Sequence, residues 1–157
     1  MKLNDWWQQA KAAERNALIA EKAMGITDFR KDWLCYISPD DGTLVPWLEE
    51  WGEFTEGERD RDLFTERGLF FRNEYDVLEA VPDYQGNIAD AWQVALQMRK
   101  NNWGLCLRLR KDHAEASFVF VPTDEAHITQ HTRWIPGPAE EAICLAALEA
   151  LGIEEVG

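Results

Sequence analysis

Ile88-Ala89-Asp90-Ala91-Trp92-Gln93-Val94-Ala95-Leu96-Gln97-Met98-Arg99 runs almost at once into Asn102-Trp103-Gly104-Leu105-Cys106-Leu107. Apolar residues at spacings of three and four predict a helix, and the alternation after it predicts a strand. Asn87 has the side chain of an N-cap, and Asp90 falls at the third helical position, where a helix N-terminus favours an acid. Ile88, Ala91, Trp92, Ala95 and Met98 are read as its core face. Asn101-Asn102 ends the helix. In the strand 103–110, Trp103, Leu105, Leu107 and Leu109 point one way, while Cys106, Arg108 and Arg110 point the other. Lys111-Asp112-His113-Ala114 is a hairpin loop, and the strand 116–121 returns antiparallel.

Outward from this unit, residues 5–24 predict a first helix. Trp6, Ala10, Ala13, Ala17, Ala20 and Met24 recur on one face, with Gly25 as its stop. Residues 33–37, Trp-Leu-Cys-Tyr-Ile, read as a strand followed by the turn Ser38-Pro39-Asp40-Asp41-Gly42. The stretch 46–80 alternates acids with aromatics and glycines and shows no period, so it is taken as an irregular acidic insertion with a short helix near its end and Leu69-Phe70-Phe71 as anchor. Residues 122–138 are a long connection. A last helix, 138–151, opens on Pro138 and two acids, as helix N-termini prefer. The expected fold is α/β: one domain over 1–157, with a small antiparallel sheet covered by helices. Trp92, Leu105, Leu107, Phe118, Phe120, Ile143 and Ala147 should be its core, and Trp92→Ala should cost about 3–5 kcal/mol.

The chain has 157 residues and a net charge of −13, but the charge is unevenly spread. Residues 86–111 hold five cations against one acid, while 32–85 hold four against fifteen. Such a balance disfavours direct binding of duplex DNA, which needs clustered cations along the protein surface. No apolar run approaches the ~20 residues that cross a bilayer, and the first residues lack the apolar core of a signal peptide, so an intracellular protein that does not engage membranes is expected. Cys35, Cys106 and Cys144 are widely spaced and flanked by apolar residues, and are read as small core hydrophobes. The eight Trp exceed what one small core needs. With the small-residue stripe of the first helix, they predict a homo-oligomer.

Three helical stretches resemble, in order and spacing, the phage ABA sandwich domain family: Ala17-Leu18-Ile19-Ala20-Glu21-Lys22-Ala23-Met24-Gly25, Ile88 through Met98 with Trp103, and Ala139 through Leu148. The resemblance implies an α-β-α sandwich and a phage accessory protein acting in the host cytoplasm. The resemblance further implies a counter-defence role, as small phage proteins of this sort often have, either by sequestering a nucleotide signal or by binding a defence protein. The family supplies no catalytic residues to carry over. The acidic stretch 46–80 and the loop 122–138 depart from its pattern.

No strained serine elbow, no cysteine–histidine motif and no phosphate loop stands in the chain, so the expected activity is binding without chemistry and without a cofactor. Arg133-Trp134 pairs a cation with an aromatic, a combination that holds a phosphate and stacks a base; the competing reading has Trp134 anchoring its loop and Arg133 answering nearby acids. Arg108, Arg110 and Lys111 form a basic cluster, either an anion site or partners for Glu115 across the hairpin. His127 and His131 stand four apart and would face one way on a helix, as a metal pair would, but the prolines around them favour a polar loop with incidental histidines; beside Arg133-Trp134 the same two could line a nucleotide pocket. The candidate ligand-binding residues are therefore Arg108, Lys111, Arg133, Trp134, Trp103, His127 and His131, with a small anionic nucleotide as ligand. The alternative function is an inhibitor whose acidic segment 46–66 engages a basic host protein, through an interface that salt would weaken.

Overall fold

The computed structural model describes residues 1–38, 40–47, 65–122 and 130–157. They form two compact units, one of residues 1–25 with 82–157 and one of residues 26–81. Both are built on antiparallel sheets, and the described residues form four helices, so the chain is mixed α/β as its patterning predicts.

The first unit opens with α1 (Leu3–Gln9) and α2 (Ala12–Lys22). The single helix expected over 5–24 is thus broken. Ala10 and Lys11 both adopt extended backbone, and the Glu14 carboxylate restarts the helix by accepting the Lys11 amide at 2.7 Å. The break turns α1 so that Trp7 is fully buried and its indole donates to Glu141 at 2.7 Å. Arg15 of α2 reaches the same carboxylate at 3.0 Å and lies over the Trp7 ring. Asn16 donates to Asp83 at 2.9 Å and accepts from the Gln85 amide at 3.1 Å, which ties the 83–85 turn to α2.

That turn leads into α3 (Ile88–Lys100), where Asn87 Oδ1 accepts from the Ala89 and Asp90 amides. The strands β5 (Trp103–Leu109) and β6 (Ala114–Phe120) follow, paired from Trp103↔Phe120 to Leu109↔Ala114. On the other edge of β6 lie β7 (Gln130–His131) and β8 (Ile135–Gly137), and α4 (Ala139–Ala150) closes the unit. Helix α3 packs on β5 and on α4, and α4 packs on β6 and β8. Ala114, Ala116, Phe118 and Ile135 are buried beneath α4 together with its own Ile143, Cys144, Ala147 and Leu148. Tyr84 is buried nearby, and burial, with the charges of Asp90 and Cys144, pushes its phenol up to about 12.

Two expected core positions lie elsewhere. Trp92 is 49% exposed, and Leu107 is exposed as well. The buried face of α3 is Ala91, Val94, Ala95 and Met98, rotated away from the Ile88–Trp92 edge. Leu105 and Phe120 are half-buried.

The second unit is a four-stranded sheet in the order β2-β1-β3-β4, from β1 (Phe29–Ile37), β2 (Leu44–Pro46), β3 (Thr65–Arg72) and β4 (Leu78–Ala80). The described part of the stretch read as an irregular insertion therefore forms strands, and residues 65–80 contain no helix. Among its described residues, Cys35 and Phe70 are fully buried. A Cβ at Gly68 would stand 2.9 Å from the Phe70 ring and 3.3 Å from Cys35 Sγ, so this glycine allows the two strands' side chains to close. The turn after β1 closes with Ser38 N donating to Thr43 O at 2.8 Å, and Gly42 takes the positive φ of 72° that this turn needs.

Candidate functional site

Strand alternation sorts the candidate residues onto two faces of the β5–β6 sheet. Odd positions of β5 share the side of Phe118 and Ala116, where the helices lie; Cys106 and Arg108 face the other way, opposite Ser117 and Glu115. That second face continues across β6, where β7 sets His131 against Val119 and β8 sets Pro136 against Glu115.

Between β7 and β8, Trp134 meets Arg108. The guanidinium carbon lies 3.7 Å from the indole centroid, a stacked cation–π contact between side chains far apart in sequence. The His131 ring stands 6.0 Å from that of Trp134, inclined at 60°. Arg108, Trp134 and His131 thus form a cluster across the width of the sheet. Arg108 also approaches Glu115 at 3.7 Å, and Arg110 binds the same carboxylate at 3.3 Å. His113 Nε2 is a third neighbour at 3.7 Å. Partial burial of the Glu115 carboxyl would push it up, but the Arg110 hydrogen bond and the charges of Arg110, Arg108 and His113 outweigh that and hold it below the usual carboxylate range. One acid is thus shared by several cations, which leaves donor capacity over. The arginines pair with Glu115 across the hairpin, and Arg108 also stacks on Trp134.

Ser117 is fully buried under this face. Its hydroxyl donates to the Thr132 carbonyl at 2.9 Å and lies 3.4 Å from His131 Nε2. A serine beside a histidine suggests a nucleophile and its base, but a hydroxyl sealed from solvent and committed to a carbonyl serves instead to fasten β7 to β6. Thr132 Oγ1 completes the fastening by accepting the Phe118 amide at 2.9 Å.

The remaining candidates separate from the cluster. Arg133 turns towards α4, where its Nε and Nη2 grip Glu149 at 3.0 and 2.6 Å; that bond raises the guanidinium pKa further. Trp103 packs against Phe120, with ring centroids 5.1 Å apart and the planes inclined at 55°, on the helix side of the sheet. Lys111 sits exposed in the hairpin loop beside Arg110, with no ion pair among the described residues. His127 lies outside the described residues. The chain signals Arg108 and Trp134 separately, but their stacking depends on the pairing of β8 with β6, which no local pattern reveals. Glu149, the partner of Arg133, carries no signal beyond being one acid of a helix. Among the described residues, no group of three or more His, Cys, Asp or Glu is placed to hold a metal ion, and no helix is long and apolar enough to cross a membrane.

No curated protein matches the chain. Among solved structures, it is similar to a phage protein from Bacillus cereus, at 19% identity and a TM-score of 0.51, over 94% of this chain and 93% of the other. At that identity the likeness is one of fold. The model of the phage ABA sandwich domain matches residues 17–148, which span both units and every strand described above. The three helical stretches that carry the resemblance fall on the end of α2, on α3 and on α4. The chain belongs to the phage ABA sandwich domain family.

Proposed function

We propose that this phage protein acts in the host cytoplasm by capturing a small anionic nucleotide, without chemistry, on the sheet face that carries Arg108, Trp134 and His131. The observation that carries the reading is the Arg108–Trp134 stack beside His131. A nucleobase needs a π-surface and a phosphate needs clustered donors, and this face supplies both within one side-chain length. Arg110 and Lys111 extend the donor set at the hairpin end. An arriving phosphate competes with the single Glu115 carboxylate, so capture exchanges one anion for another. Supporting capture over turnover, Ser117, the hydroxyl nearest a histidine, is buried and bonded to Thr132.

The net charge of −13 repels anions at long range. At physiological salt that repulsion is screened beyond roughly 8 Å, so the local cations decide binding. The test is incubation with a panel of linear and cyclic nucleotides, followed by heat denaturation and recovery of the ligand. Recovery of one nucleotide intact is expected, with depletion reduced about tenfold or more in Arg108→Ala and in Trp134→Ala. An altered nucleotide would overturn the non-catalytic reading. Depletion of none would overturn the site and leave the acidic segment 46–66, engaging a basic host protein, as the function.

A further inference from the structure

Strand β5 is the outermost strand of its sheet, paired on one side with β6 and with no described strand on the other. Which of its backbone groups face that open side follows from two hydrogen bonds that flank the strand. Val121 N donates to Asn102 O, and Arg110 N donates to His113 O, both at 2.9 Å. In an antiparallel ladder, residues alternate between bonding inward to the partner and pointing outward. Asn102 and Arg110 both bond inward, so the even positions between them do too, and Trp103, Leu105, Leu107 and Leu109 turn their N–H and C=O to the open edge. The far side of β6 confirms the alternation. Phe118, opposite Leu105, bonds away from β5 to Thr132, donating to its Oγ1 and accepting from its amide.

An edge of this kind is ordinarily blunted, because unpaired backbone groups beside apolar side chains recruit another strand. Here the apolar side chains remain open. Leu109 is 79% exposed and Leu107 is exposed too, both on the helix side. The helix that packs on β5, α3, leaves Ile88, Trp92 and Leu96 exposed along one flank. On the opposite side of the same strand stands Arg108, with Arg110 and Lys111 directly following. The two faces of the edge therefore ask for different chemistry: apolar on one, anionic on the other.

We infer that the open edge of β5 binds an extended segment of another protein whose side chains alternate between apolar and acidic, adding a fifth strand to the sheet. Main-chain bonds to the four outward residues supply affinity, and the alternation supplies specificity. Residues of the incoming strand opposite Leu105, Leu107 and Leu109 share the helix side and pack there. Those opposite Arg108 and Arg110 fall on the other side and meet the guanidinium groups. Charge selects the occupant. Pairing this edge with its copy would bring two basic segments, each with five cations against one acid over residues 86–111, onto one another, whereas an acidic strand neutralises them.

The probe is a short synthetic peptide alternating Val and Glu, with a Val–Lys peptide of the same length as control, titrated into the full chain with residue-resolved hydrogen exchange. The Val–Glu peptide is expected to bind, to be weakened by salt, and to slow exchange at Leu105, Leu107 and Leu109 while the Val–Lys peptide does neither. Leu107→Pro removes one outward N–H at an edge position where proline is tolerated, and should reduce affinity about tenfold or more. Leu109→Glu keeps the backbone intact and should weaken the Val–Glu peptide by setting a charge against its apolar side, which covers the case of a proline variant that fails to fold. Equal binding of the two peptides would overturn the proposal, as would binding untouched by both variants. Slow exchange at these amides in the protein alone would also overturn it, because the edge would already be occupied. Trp134→Ala separates this edge from the nucleotide site: it removes nucleotide capture and leaves peptide binding in place.

Discussion

Helices α3 and α4 are similar in length and origin, each an apolar-rich segment packed on the same sheet, yet they use their surfaces differently. In α4, Ala142 through Leu148 are all buried, an unbroken run that no single stripe would account for. It lies between the sheet, α2 and α3, so nearly every side of it meets protein. In α3 the apolar arc is as broad, but only Ala91, Val94, Ala95 and Met98 are consumed, while Ile88, Trp92 and Leu96 stay exposed. Helical periodicity shows that a segment has an apolar side. The number of neighbours decides how much of that side becomes core, and among the described residues α3 packs mainly on one edge strand and one helix.

The sharpest break of this comparison is a cavity in α4. Leu148 is fully buried, and Leu148→Ala should cost about 2–5 kcal/mol, the range for deleting core methylenes where the surroundings collapse only partly. Denaturant melts check it, with the midpoint shifted and the slope unchanged if the core alone is affected. A loss below about 1 kcal/mol would mean that α4 is not the centre of the unit.

Trp92→Ala is the counterpart on α3. A buried tryptophan removed from this position would cost about 3–5 kcal/mol, but half of the Trp92 ring is in water, which removes roughly half of that. Alanine also favours the helix over tryptophan by about 0.5 kcal/mol. The expected loss is about 1–2 kcal/mol, clearly below that of Leu148→Ala in the same melts. If the two losses are equal, the exposed flank of α3 is covered in solution.

The same logic governs what the chain discloses before folding. The cap at Asn87, the alternation of β5 and the short turn at Lys111–His113 are local features, so periodicity and turn chemistry predict them. Strands β3 and β4 were not legible because β3 pairs with β1 over a long stretch of chain, from Tyr36↔Thr65 to Phe29↔Phe71, and its sequence, Thr65-Glu66-Arg67-Gly68, has the polar look of a loop. What makes it a strand is a partner, supplied by tertiary structure. The break at Ala10-Lys11 has neither proline nor glycine to announce it; a side chain, Glu14, does so by capturing a backbone amide. For the candidate site the residue types were legible and the grouping was not. Arg108, His131 and Trp134 come together because β7 and β8 both pair with β6, while Arg133, next in sequence to Trp134, points to the opposite side of the sheet.

Arg133 gives the smallest expected effect and the finest discrimination. Its bidentate bond to Glu149 ties the segment between β7 and β8 to α4, but the guanidinium is more than half exposed, and exposed pairs of this kind contribute about 0.2–1 kcal/mol. Arg133→Ala should therefore lower stability by less than about 1 kcal/mol, and high salt should reduce the difference from the parent chain. Nucleotide capture should persist, since Arg133 belongs to the helix side while Trp134 presents its ring to Arg108 on the other. Adjacent residues then have opposite fates: Trp134→Ala abolishes capture and Arg133→Ala preserves it. If both variants lose capture equally, the ligand is held on the α4 side around Arg133 and Glu149, and the Arg108–Trp134 stack is only a brace between strands.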